Sequence, residues 1–85
     1  MDEKIESILS ENEFNETGKD GLWIRENNNR HRADFIDFRN GKISSYSYEG
    51  DESAEVPKDV KKLVRRLKVE RDKIENGQQI LSGVE

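Results

Sequence analysis

The chain contains no cysteine, which excludes disulfides, thiolate zinc sites and cysteine nucleophiles together. It has one histidine, His31, in a polar stretch, and a lone exposed imidazole of that kind points to a surface residue rather than a catalytic base. Hydrophobic residues make up only 31% and aromatics 7%. A globular chain usually reaches roughly 45–50% apolar, counting glycine. No apolar run approaches the ~20 residues that cross a bilayer, so no membrane partner is expected. The opening Met1-Asp2-Glu3-Lys4 is acidic and lacks an apolar core, so a secretory signal is not expected either. Together with the missing cysteines this suits a cytoplasmic protein. Glycine-rich phosphate loops are absent, and no histidine or lysine arrangement marks Ser44, Ser45, Ser47 or Ser53 as a nucleophile. No metal site, cofactor or enzymatic activity is expected.

What is present is charge: 40% of 85 residues, with a net charge of -4 that is unevenly placed. Residues 1–29 carry eight acidic against three basic side chains, whereas residues 57–76 carry eight basic against four acidic ones. The length allows one domain, residues 1–85, and a domain this short buries only about 60% of its unfolded surface. So small a core leaves room for completion by a homodimer or a protein partner.

Ile5, Ile8 and Leu9 recur at helical spacing and predict a short helix over residues 3–10, with Asp2 as N-cap. Asn12 to Thr17 reads as a strand carrying Phe14 or as an extended entry segment. Leu22 to Glu26 reads as a strand and the Asn27 to Arg30 run as a polar turn. His31 to Arg39 and Lys42 to Glu49 are two further strands, joined by a two-residue turn at Asn40-Gly41. Gly50 to Glu55 reads as an acidic loop. Pro57 suits the first position of a helix, Val60, Leu63, Val64 and Leu67 form its apolar stripe, and Asn76-Gly77 is its expected stop. Residues 78–85 then fray or serve as a partner-binding tail offering Ile80, Leu81 and Val84. The stripe weakens after Leu67, so the helix is expected to leave the sheet there and free Ile74 for another chain. The fold class is α+β: a short N-terminal helix, a three- to four-stranded antiparallel meander, and a long C-terminal helix packed on the sheet.

Counting outward from Asn40-Gly41 fixes which side chains share a face. Phe38 pairs with Ile43, Ile36 with Ser45, Phe35 with Tyr46, Asp34 with Ser47 and Ala33 with Tyr48. One face holds Ile36, Phe38 and Ile43 with Asp34; the other holds Ala33, Phe35, Tyr46 and Tyr48 with Asp37. Both faces are partly apolar. Either the two helices cover opposite faces, or a bulge near Asp34 reorients a residue, or Phe35, Tyr46 and Tyr48 form an exposed patch for a partner.

The run Phe38-Arg-Asn-Gly41, Tyr46-Ser-Tyr48, Val56-Pro57, Val60 and Leu63 loosely resembles the strand–hairpin–helix core of KTSC domains, over less than a third of the chain. The Tyr-x-Tyr lies further from the glycine than in that family, an acidic insert at Asp51 to Glu55 precedes Val-Pro, and the Ser-x-Gly stretch after the helix start is missing. The resemblance assigns neither membership nor function.

The leading expectation is therefore a small non-enzymatic accessory, regulatory or inhibitory protein that binds another protein. Its candidate residues are Phe35, Tyr46 and Tyr48 on the sheet and Lys62, Arg65 and Arg66 on the helix, since aromatics and arginine carry most interface energy. The alternative is an RNA- or DNA-associated module using Arg30, Arg32, Lys58 and Lys61.

Overall fold

The computed structural model describes residues 2–84, and the side chains of residues 2–77. Helix α1 spans Glu3–Glu11 and is followed by β1 (Asn15–Glu16), β2 (Leu22–Asn27), β3 (Arg32–Asp37), β4 (Ser44–Glu49), β5 (Glu52–Ala54) and helix α2 (Lys58–Val84). The strands form one antiparallel sheet in the order β1-β2-β3-β4-β5. The α+β class and the meander are as expected, with one strand more than the upper count. The extra strand is β5, in the segment expected to be an acidic loop. Gly50-Asp51 makes a two-residue turn there, with Gly50 at φ 62, so Glu52 folds back onto Glu49.

Asp2 caps α1 as expected, its Oδ1 accepting the Lys4 backbone N–H at 2.8 Å. The C-terminus of α1 is closed by a pair of crossed bonds, Phe14 N–H to the Leu9 carbonyl and Glu13 N–H to the Ser10 carbonyl, both 3.0 Å. This is the Schellman arrangement, and it requires a left-handed residue at Glu13, which stands at φ 69. The reversal turns Phe14 inward, where it is 1% exposed. Phe14 thus serves the core from the helix end, ahead of the two-residue β1.

The register counted from Asn40-Gly41 is the observed one: Phe35 lies opposite Tyr46, Ile36 opposite Ser45, and Asp34 opposite Ser47. The turn itself differs. The ladder stops at Asp37 and Ser44, and the Phe38 carbonyl accepts the Gly41 N–H at 3.3 Å, with Gly41 at φ 76. The reason is Asp37. Its Oδ1 takes the Arg39 backbone N–H at 2.9 Å, so that donor is withdrawn from the ladder.

Both helices pack on the Ile36 face. Ile5, Ile8, Leu9 and Phe14 meet Trp23, Ile36 and Ile43 from the sheet and Val60, Leu63, Val64 and Leu67 from α2 in one core. Trp23 pairs with Ile36 and joins that core. Coverage of opposite faces by the two helices is therefore overturned. Lys4 of α1 also reaches Glu70 of α2 at 2.9 Å.

Helix α2 differs from expectation in three ways. Pro57 precedes it and accepts the Lys61 N–H at 3.1 Å, so it acts at the cap rather than at the first helical position. The helix does not stop at Asn76-Gly77 but continues through Gly77 to Val84, because no left-handed turn forms at that glycine. Ile74 is not freed: it packs against the core, and Arg71 donates to the Gly41 carbonyl at 3.1 Å, extending the contact with the sheet beyond Leu67. The side chains of Ile80, Leu81 and Val84, proposed for a partner-binding tail, lie outside the described residues.

A left-handed glutamate carries a backbone cost that glycine does not. Glu13→Gly is expected to stabilise the fold by about 0.5–1 kcal/mol. Urea unfolding of both proteins measures this, and an unchanged or lower midpoint contradicts the strained cap.

Candidate functional site

The sheet face opposite the helices holds Leu22 and Ile24 from β2, Ala33 and Phe35 from β3, and Tyr46 and Tyr48 from β4. No helix side chain among the described residues covers it. Phe35 and Tyr46 stack with centroids 5.2 Å apart and rings 21° from parallel. Tyr48 stands edge-on to both, at 6.1 Å from Phe35 and 6.0 Å from Tyr46. Offset stacks and edge contacts at these distances are the favourable aromatic geometries. The three rings form one contiguous patch, and Tyr48 remains 42% exposed.

One end of the patch is held by charge. Arg39 grips Asp37 through Nε at 3.0 Å and Nη2 at 2.8 Å. The Tyr46 hydroxyl approaches the same carboxylate at 3.4 Å. Arg39's side-chain hydrogen bonds, followed by its backbone N–H, hold the Asp37 carboxyl at about 2, below the ordinary 3.8, against the opposing effect of burial. Burial and the Asp37 charge push the Tyr46 hydroxyl above its ordinary value, so the phenol stays neutral and able to donate.

On the covered face the sheet carries a second charge cluster, which the sequence reading missed. Asp34 is buried and accepts from Ser47 Oγ at 2.7 Å, Arg25 Nη2 at 3.1 Å and Arg32 Nε at 3.2 Å. Arg25 continues to Asp59 in the first turn of α2 at 2.9 Å, and its guanidinium lies 5.1 Å from the centre of the Phe14 ring. Arg32 also donates to the Glu55 carbonyl just before α2. Burial weakens the Arg25 charge, but its bonds to Asp59 and Asp34 outweigh that and raise its pKa, while Asp59 is lowered through the same bond to Arg25. The available signal was Asp34 itself, which the hairpin count had placed on the Ile36 face, where a carboxylate needs a partner.

These contacts reassign the nucleic-acid candidates. Arg32 is occupied by Asp34 and the Glu55 carbonyl, and Lys61 stands 3.9 Å from Glu55. Arg30 and Lys58 both line a cleft of about 890 Å³ between the Asn28–Arg30 turn and the start of α2. Glu13, Asp34 and Glu55 line the same cleft with Arg25 and Arg32, so its cations lie among carboxylates.

No family model, no curated protein and no solved structure matches the chain. Among the described residues no group of three His, Asp or Glu side chains comes together as a metal site, and no helix is long and apolar enough to cross a membrane.

The protein-binding candidates divide into two groups. Phe35, Tyr46 and Tyr48 are brought together. Lys62, Arg65 and Arg66 are exposed on the outer arc of α2, opposite the stripe that packs on the sheet. That arc and the aromatic face lie on opposite sides of the molecule, so a single flat interface does not take in both.

Two measurements follow from the charge clusters. Asp34→Ala leaves two mostly buried guanidinium groups without their shared counter-charge and is expected to destabilise the fold by about 3–5 kcal/mol, read from urea unfolding. Asp37 has a folded pKa below its unfolded one, so its contribution is complete above about pH 4 and disappears as the pH falls toward about 2. The stability gap between wild type and Asp37→Asn should be constant near neutrality and close across that window. A gap that persists to pH 2 contradicts the Arg39 pairing.

Proposed function

We propose that this chain is a small non-enzymatic binding protein, of accessory, regulatory or inhibitory type, which works in the cytoplasm through a protein–protein interface on the open face of its sheet. The observation that carries this reading is the one-sided packing: both helices lie on the Ile36 face, and the Phe35, Tyr46 and Tyr48 cluster is left at the surface. Rings of this kind bury large area at a small cost in side-chain freedom, which is why tyrosine is enriched at interfaces. The ladder beneath them is hydrogen-bonded on both sides, so the patch is a rigid platform before any partner arrives.

The protein reading stands ahead of the nucleic-acid one because of where the cations are spent. Arg32 is committed to Asp34, Lys61 lies beside Glu55, and Arg30 and Lys58 share their cleft with Glu13, Asp34 and Glu55. A phosphate backbone there would meet carboxylates interleaved with the cations.

The test is capture from the native host with wild type and with Tyr46→Ser/Tyr48→Ser. Proteins held by wild type and released by the folded variant are the expected outcome. A folded variant that keeps every partner and the same oligomeric state overturns the assignment.

A further inference from the structure

We infer that the occupant of the open sheet face is a second copy of this chain, stacked face to face with its strands antiparallel, so that Arg39 of each copy meets Glu26 of the other. This rests on the reading of that face as a protein interface and specifies the partner.

The first argument is charge. Across the five strands, the ladder positions on this face carry only Glu26 and Asp37, in a chain that is 40% charged. Arg39 neutralises Asp37. A face so nearly neutral does not repel its own copy, whereas the outer arc of α2, with Lys62, Arg65 and Arg66, would.

The second argument is where the remaining charges lie. Glu26 is exposed at one end of β2. Arg39 lies at the other end, its Cγ 3.3 Å from where a side chain on Gly21 would begin, and its side chain is 38% exposed. Arg39 uses Nε and Nη2 on Asp37, leaving Nη1 without a hydrogen-bond partner among the described residues. Five residues of strand separate Gly21 from Glu26, or roughly 17 Å. A two-fold axis lying between the faces and perpendicular to the strands exchanges these ends. It brings each Arg39 to Glu26 of the other copy and passes near Ile24, Phe35 and Tyr46 at the middle of the face. The alternative axis, parallel to the strands, sets like charges against each other. The pattern is thus self-complementary in one orientation, as an isologous interface requires.

The third argument is size. Three central strands of six residues, about 4.8 Å apart and about 3.3 Å per residue, flanked by the two-residue β1 and three-residue β5, give a face smaller than roughly 20 by 20 Å. That is below the standard size of a specific protein interface and makes the dimer a weak, reversible one.

Sedimentation equilibrium of the full chain over about 10 µM to about 1 mM tests this. Wild type is expected to pass reversibly from monomer to dimer. Tyr48→Glu, at an exposed ring, should remain monomeric throughout. Glu26→Lys should weaken the dimer at least ten-fold, although it brings the net charge of each copy closer to zero and so reduces general repulsion between copies. A wild type that stays monomeric overturns the inference, as does a dimer that both variants leave unchanged. A dimer lost in Tyr48→Glu but intact in Glu26→Lys overturns the antiparallel arrangement. A monomeric wild type overturns this inference alone, because release of other proteins by the folded Tyr46→Ser/Tyr48→Ser variant still supports the protein-interface reading.

Discussion

The buried carboxylate of Asp34 is the point on which the architecture turns. It lies on the helix-facing side of the central strand, and its charge is matched by Arg25 from β2 and Arg32 from its own strand. Both arginines then reach beyond the sheet, one to Asp59 in the first turn of α2 and one to the Glu55 carbonyl before it. A buried ion cluster contributes little net stability compared with apolar packing, but it is expensive to break and specific in geometry. Here it fixes where α2 begins and on which face it lies. Once α2 starts at that corner, Val60, Leu63, Val64 and Leu67 can descend only onto Ile36 and its neighbours.

The position of α1 follows from the same constraint. Its three apolar residues are too few to cover a sheet face alone, so α1 shares the surface that α2 has already made apolar. The Schellman turn at Glu13 aims Phe14 under Arg25, which ties the end of α1 to the Asp34 cluster through the face of the ring. The Lys4–Glu70 pair joins the helices further along. Two small apolar elements thus make one adequate core, and the cost is a sheet with a single protected side.

Much of this was legible in the sequence because it depends on local periodicity. The α2 stripe, the Asp2 cap and the pairing of Phe35 with Tyr46 all follow from spacings of two, three or four residues. The hairpin register held even though the turn was of a different type, since Asp37 altered only the residues beyond the last ladder pair. What escaped depends on contacts distant in sequence. Nothing near Asn76-Gly77 reveals that α2 continues, and a strand as short as β5 has no periodicity to read. The pairing of Asp34 with Arg25 required the register across the Asn28–Arg30 turn, which no tight-turn signal fixes. For the candidate site, the register showed that the three rings are neighbours, whereas it carried no sign that Lys62, Arg65 and Arg66 lie on the far side of the molecule. Which face a helix covers decides which surfaces end up opposite each other, and that choice is made by the Asp34 cluster.

Aromatic residues are scarce in this chain, and their distribution between the two faces is itself a physical statement. Phe14 and Trp23 are spent on the core, where they close the space between two short apolar helical stripes and the sheet. Phe35, Tyr46 and Tyr48 are placed where neither helix follows them. If stability alone governed their placement, moving those rings to the covered face would add apolar burial to a small domain that has little to spare. The open face is instead organised: its rings contact one another at favourable angles, and Asp37 and Arg39 hold the Tyr46 hydroxyl at the margin. An arrangement fixed in advance loses little freedom when a partner surface closes over it, and that saving matters most for an interface this small.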